Sequence, residues 1–258
     1  AALGEADLPG DVLAGAAMLH VSGYQLLGEQ SRPAVRRLWD EAGEQGLARS
    51  VDPASLSGLA AVGAEAFLHW TEGASLVFPN LDEGRVHTGE HDPEAVLDTL
   101  RSCYPTVVLK LGRDGVLCGS RTDGYVRLAS AQVATARRGG LGAAGVLDST
   151  GAGDAFLGGF ITELLGRTRT AADGPLGASL GNSELEGAAW AGLKAAALAV
   201  SQLGGRPRPT ALAVKRRPAR SPPGDLAQQF VDRKTQARDR DLEPLEGDSG
   251  DGEARRRP

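Results

Sequence analysis

The chain has 258 residues, 41% hydrophobic and 24% charged, which is room for one large domain or two small ones with a full core. No apolar run approaches the ~18 residues of a membrane-spanning helix, and acids at Glu5, Asp7 and Asp11 stand where a secretory leader would be basic. The net charge of −5 divides into an acidic body, residues 1–205 with 15 Lys/Arg and 24 Asp/Glu, and a basic segment, 206–258 with 13 and 9, so the body offers no basic face to nucleic acid.

Short apolar runs alternate with amphipathic stretches from the start. AMLHVSG at 17–23 predicts a strand. The spacing of Val35, Leu38 and Trp39 predicts a helix over 32–45, with Arg36, Arg37, Asp40 and Glu41 on its other face. Strand-like ARSVD at 48–52 precedes a helix over 59–67, and SLVF at 75–78 follows. Asp92 and Pro93 start a helix to about Cys103, the Asp as N-cap and the Pro in the first turn. TVVLKLG at 106–112 is the next strand. Such alternation marks an α/β fold, a parallel sheet with helices on both faces. From Gly115 the pattern changes to three short strand-like runs, GVLCGS, GYVRLAS and QVATA, separated by turn residues as at an antiparallel sheet edge. Two long helices follow, one from about Gly151 to Leu165 and one from Ser183, where Ser183 and Glu186 make a capping-box pattern, to about Leu203. Beyond Gly205 large apolar residues are few and Pro, Arg and Asp many, so 206–258 is expected to be a disordered tail with a short helix around 226–238.

Residues 146–160, VLDSTGAGDAFLGGF, carry the chemistry. Strand-like VLD runs into a glycine-rich turn and straight into a helix, so the N–H groups of Gly151, Ala152, Gly153 and Asp154 lie at a helix N-terminus, a geometry that holds an anion. Gly151 and Gly153 let the backbone approach a phosphoryl group with no Cβ in the way, and the helix dipole favours the charge that builds up during transfer. Asp154 in the first turn is placed to accept a proton from an attacking hydroxyl. A plain glycine-rich turn capped by Asp is the alternative in a chain with 36 glycines. Composition alone, however, yields D-x-T-G-A-G-D in roughly one such chain in ten thousand. The stretch resembles the second signature, DTTGAGDxF, of the ribokinase-like (PfkB-type) carbohydrate kinase family, matched at Asp148, Thr150, Gly151, Ala152, Gly153, Asp154 and Phe156. The resemblance implies an anion hole at Gly151, Ala152 and Gly153, with Asp154 as catalytic base.

Other stretches are similar to the same family. PNLDEGRVHTG at 79–89 resembles its N-x-x-E element and following Thr-Gly, which implies that Asn80 and Glu83 organise Mg²⁺ and phosphate through water; the pair is also a capping box with Asn80 as N-cap. VVLKLGRDGV at 107–116 resembles the strand and turn that contact the nucleotide, which implies roles for Lys110, Gly112 and Gly115, although an ordinary strand and hairpin accounts equally well for Lys110. AAALAVSQLGG at 195–205 resembles the closing helix beside the adenine, while Leu193 falls where a polar residue is common. Asp148 and Thr150 match a monovalent-cation loop of many members, which implies K⁺ there.

The resemblance runs from about Leu8 to Gly205 and corresponds to the later two-thirds of a family domain. The front third, with the first signature, most sugar contacts and a small β lid, has no counterpart in a chain that also lacks an initial Met. The expectation is a three-layer ribokinase-like fold over 1–205, a mainly parallel central sheet flanked by helices, truncated of its N-terminal strands and lid. Members often dimerise through that lid, so a homodimer is a further expectation.

Weaker matches are set aside on context. GLGAAG at 140–145 satisfies G-x-G-x-x-G, yet Arg137-Arg138-Gly139 precede it where a strand is required. GASLG at 177–181 satisfies the nucleophile-elbow pattern, yet it follows loop-like AADGPL with no triad to join. His20, His69, His87 and His91 form no zinc pattern, and the scattered Trp39, Trp70 and Trp190 suit core packing better than base stacking. Cys103 and Cys118 have no CxxC spacing, which excludes a disulfide framework and fits a reduced cytoplasm. The resemblance thus implies ATP-dependent phosphorylation of a sugar or sugar-like hydroxyl, with a nucleoside as an alternative acceptor. A non-catalytic or regulatory nucleotide-binding remnant is the rival, against which the intact motif at 148–156 speaks.

Overall fold

The apolar runs form strands where the alternation places them, and the strands lie side by side in chain order. In the computed structural model, which describes residues 3–130, 148–167 and 180–201, β1 (Met18–Ser22), β2 (Ala48–Asp52), β3 (Leu76–Val77) and β4 (Thr106–Lys110) are parallel neighbours. β5 (Val116–Ser120) and β6 (Tyr125–Leu128) then fold back antiparallel, with Val116 opposite both Lys110 and Leu128. Contacts divide the chain into Ala1–Arg208 and Pro209–Pro258, and the described residues all lie in the first unit. The expected strand QVATA, residues 146–147, GLGAAG, the first three residues of GASLG, the end of the last helix and the tail 206–258 lie outside the described residues.

Side chains alternate across each strand, so a sheet buried on both sides divides its apolar residues between two cores. Val21, Val51, Val77, Val107, Leu109 and Leu117 face one layer of helices. That layer comprises α1 (Gly23–Leu27), α2 (Arg32–Glu44), α3 (Leu56–Val62), α4 (Ala64–Trp70), α5 (Leu81–Thr88) and α6 (Pro93–Cys103). Its largest buried side chains are Trp39 and Phe67. Leu76, Phe78, Val108, Val116, Cys118 and Leu128 face the other layer, formed by α7 (Ala152–Gly166) and α8 (Asn182–Ala199). The three-layer, mainly parallel α/β expectation is the fold observed.

Two boundaries differ from the sequence reading. The single helix expected over 59–67 is two, because Gly63 at φ 84° interrupts it and its N–H closes α3 on Leu59 O at 2.9 Å. The last helix starts before Ser183: Gly181 is its N-cap, Glu184 Oε2 accepts the Gly181 N–H at 3.1 Å, and Asp123 Oδ2 accepts the Asn182 N–H at 3.3 Å. The side chains that satisfy this helix end are therefore Glu184 and a residue from the β5–β6 turn, rather than the Ser183 and Glu186 pair.

α7 and α8 approach closely because glycines leave room. A methyl on Gly159 would lie 2.8 Å from Ala191 O and from Ala195 Cβ, whereas one on its neighbour Gly158 would meet nothing within 4 Å. These adjacent glycines separate propensity from packing. Gly158→Ala is expected to stabilise the protein by about 0.5–1 kcal/mol. Gly159→Ala is expected to destabilise it by about 2 kcal/mol through backbone overlap, both read by denaturant unfolding.

On the opposite face, His87 of α5 packs edge-on against Phe67 and Tyr104, and its Nε2 has no hydrogen-bond partner among the described residues. Burial pushes its pKa down to about 4. The unfolded chain binds this proton from about pH 6.5 downward and the folded one resists it, so stability is lost as pH falls between those values. Between pH 7.5 and 5 the wild type is expected to lose about 2 kcal/mol more than His87→Leu. Equal pH profiles for the two proteins would remove the assignment.

Candidate active site

The carboxyl ends of parallel strands are where an open α/β sheet keeps its crevice. Here the ends of β2 and β4 and the starts of α5 and α7 converge. Asp52 is the last residue of β2 and Lys110 the last of β4, both on the α7 side of the sheet, and Lys110 Nζ lies 2.5 Å from Asp52 Oδ2. The pair is largely buried, with side-chain exposures of 15% and 11%.

The signature turn is held by its own backbone. Asp148 Oδ1 accepts the Thr150 N–H at 2.8 Å, the Asp148 N–H donates to Val200 O at 3.4 Å beyond the end of α8, and Gly151 takes φ 76°, the left-handed region that suits glycine. Ala152 N–H donates to Ser149 O at 3.2 Å and Ala155 N–H to Gly151 O at 2.9 Å. The N–H groups between them, those of Gly153 and Asp154, have no bond among the described residues. Among the described residues, a Cβ on Gly153 would have a single neighbour within 4 Å beyond its own helix, Lys110 Nζ at 3.8 Å. Two amides at a helix N-terminus without a partner among the described residues thus lie in the turn beside an ammonium, a setting suited to a phosphoryl group. Asp154, in the same first turn, is solvent-exposed.

Asn80 and Glu83 start α5 with the reciprocal bonds expected of a capping box: each backbone N–H donates to the other's side chain at 2.9 Å. The buried Glu83 is also near the ion pair. Burial raises its pKa, the Asn80 N–H and Lys110 oppose the rise, and Asp52 adds to it. Asn80 bridges to Lys110, whose N–H donates to Pro79 O at 2.9 Å, so α5 starts beside the end of β4. Gly112 (φ 60°) and Gly115 (φ 101°) shape the turn from β4 to β5, and a Cβ on Gly115 would fall 1.9 Å from Leu128 O. This turn sits at the same sheet end without a hydrogen bond to α7 among the described residues. Leu193, placed in the adenine-side helix, is buried in the core beneath α7 and α8.

Two residues of this corner were missed. Asp52 ends a strand directly before Pro53, a position that parallel-sheet geometry marks by itself. His20 of β1 bonds Ser50 through Nδ1 at 2.9 Å. Its pKa is lowered by burial, with Asp52 opposing, Lys110 adding and Asp154 opposing, which puts all three within electrostatic reach of one ring. Among the described residues no three His, Cys, Asp or Glu form a metal cage. Glu83, a single buried carboxylate beside Asn80, fits a hard cation that keeps its waters and leans on one carboxylate and on phosphates, as Mg²⁺ does.

A model of the pfkB family carbohydrate kinases matches residues 4–211. Similar solved structures include adenosine kinase from Sinorhizobium meliloti, 21% identical over 80% of this chain and 55% of that one with a TM-score of 0.64. A PfkB protein from Polaromonas sp. JS666 is 28% identical over 75% and 57% with a TM-score of 0.51. Fructokinase from Vibrio cholerae O395, in a fructose-, ADP- and calcium-bound form, is 22% identical over 79% and 60% with a TM-score of 0.58. The chain thus spans between 55% and 60% of the length of these structures. No curated protein matches it. The family match takes in every strand and the whole signature turn, and the chain belongs to the pfkB family of carbohydrate kinases.

Proposed function

We propose that this chain carries the phosphoryl-transfer site of a kinase that moves the terminal phosphate of ATP to a hydroxyl of a sugar or nucleoside. The observation that carries the reading is the start of α7: among the described residues the amides of Gly153 and Asp154 have no partner, and the one atom within 4 Å of a Cβ placed on Gly153, beyond its own helix, is Lys110 Nζ. The solved relatives named an adenosine kinase and a fructokinase support a small polyhydroxylated acceptor.

In this reading the amides of Gly153 and Asp154, with the turn through Gly151 and Ala152, hold the charge of the phosphoryl group in flight. Asp154, solvent-exposed in the first turn of α7, takes the proton from the acceptor hydroxyl. Glu83 and Asn80 would hold Mg²⁺ and phosphate through water, and the bound ion would supply charge neutralisation. K⁺ is assigned to the turn at Asp148 and Thr150, and the β4–β5 turn at Gly112 and Gly115 to the nucleotide. Catalysis is positioning and charge stabilisation with no covalent intermediate.

The test is ATP-dependent phosphorylation of a panel of sugars and nucleosides by the protein from its native source. Asp154→Asn is expected to lower kcat about 10³-fold and leave ATP affinity within a few fold. Unchanged turnover removes the base assignment, and nucleotide binding without turnover of any acceptor assigns a binding module instead.

Glu83→Gln separates the two roles of its position. Gln also serves at the third residue of a capping box, and it removes a charge that burial penalises, so Tm at pH 7.5 is expected to hold or rise. The Mg²⁺ concentration needed for half-maximal activity is expected to rise about tenfold. A fall in Tm with unchanged Mg²⁺ dependence would make Glu83 a helix cap alone.

A further inference from the structure

The Asp52–Lys110 pair is a poor device for stability. Drawing two charges out of water costs about as much as their attraction returns, unless geometry and further hydrogen bonds are favourable. The surrounding backbone is nevertheless arranged to hold it. Asp52 Oδ1 accepts the Ala54 N–H at 3.0 Å, leaving Oδ2 for Lys110. Ala54 is the one non-glycine residue at positive φ among the described residues, at 62°, and it sits at the centre of a three-residue turn closed by Ser55 N–H on Pro53 O at 2.8 Å. Turns of that kind are strained, and strain at a non-glycine persists where the surroundings impose it. The surroundings here are Gly23, whose missing Cβ would fall 2.0 Å from Pro53 O.

Held from behind in this way, Asp52 fixes where the Lys110 ammonium goes. The ammonium lies 3.8 Å from the point where a Gly153 side chain would start, beside the first turn of α7 that carries the Gly153 and Asp154 amides. It is also the positive charge that Glu83 and His20 sense from across the corner. We propose that Asp52 is a positioning residue that aims Lys110 at the terminal phosphate of the nucleotide, and that the incoming phosphate shares the ammonium with Asp52 rather than taking it over. The proposal rests on the kinase reading above. It assigns Lys110 to the phosphate that is transferred, and it makes Asp52 a brake on ground-state binding, since a carboxylate that keeps part of the ammonium weakens the hold on ATP before transfer.

A structural ion pair and this arrangement differ in what they do to ATP relative to ADP. The experiment is calorimetric titration of the chain with MgATP and MgADP, for wild type, Asp52→Asn and Lys110→Met, with Tm measured alongside. Lys110→Met is expected to weaken ATP at least tenfold and ADP less than threefold. Asp52→Asn keeps an acceptor for the Ala54 N–H while freeing the ammonium. It is expected to tighten ATP about three- to tenfold and leave ADP within twofold. If both variants change Tm and leave the ATP/ADP affinity ratio as in wild type, the pair is structural and the proposal falls while the kinase reading stands. Wild type that binds neither nucleotide overturns both. Should Lys110→Met fail to fold with Asp52 buried and unpaired, the double variant Asp52→Asn/Lys110→Met leaves no orphan charge; it is expected to show the same selective loss of ATP, and an unchanged ratio there overturns the proposal.

Discussion

A sheet covered on both faces must give every second side chain to each helical layer, and at one corner of this sheet that rule gathers a charged pair and a histidine. On the α7 side of β1 and β2 the alternation delivers His20, Ser50 and Asp52, and at the end of β4 it delivers Lys110. Polar groups brought there have to find partners in a low-dielectric setting, and they do so in pairs, His20 with Ser50 and Asp52 with Lys110. The corner lies where parallel strands end, so the same pleat that buries the core also concentrates charge at the mouth of the crevice. α7 completes it from above, its start set by close packing of Gly159 and Gly192 against the neighbouring helix.

Glu83 shows how closely scaffold and site overlap. Its carboxylate closes the first turn of α5 and stands within reach of the charged pair, so the fold holds a buried acid whose charge is disfavoured there. A residue that serves a helix end alone has no need of charge, since a neutral amide accepts the same N–H. Such positions are where stability and activity pull against each other.

Local signals were legible in the sequence and long-range ones were not. Asp92 and Pro93 marked the start of α6 because cap and first turn are neighbours in the chain, and ARSVD marked β2 to the residue because its ends are punctuated. The start of α7 was legible for the same reason: the glycine-rich turn and the first turn of the helix are neighbours in the chain. The break at Gly63 was not, because a single glycine within an apolar stretch does not announce its φ. The cap of α8 was misplaced by two residues because Asp123, which supports it, lies 59 positions away. The strand end marks Asp52 as a candidate, but its partner was hidden on the same grounds, since 58 residues separate it from Lys110 and only the sheet brings them together.

The glycines of this protein are not equivalent. Gly115 and Gly159 stand where a methyl group would strike backbone, and folding alone accounts for them. Gly153 differs. It sits in the first turn of a helix, where glycine is a poor helix former, and among the described residues a methyl there would meet no atom beyond its own helix except a lysine ammonium at an ordinary contact distance. The scaffold would therefore accept alanine at this position and gain from it. Such a variant would pass any selection for folded, soluble protein while filling the volume above the free amides, so screens for stability alone would steer the chain toward closing its own crevice.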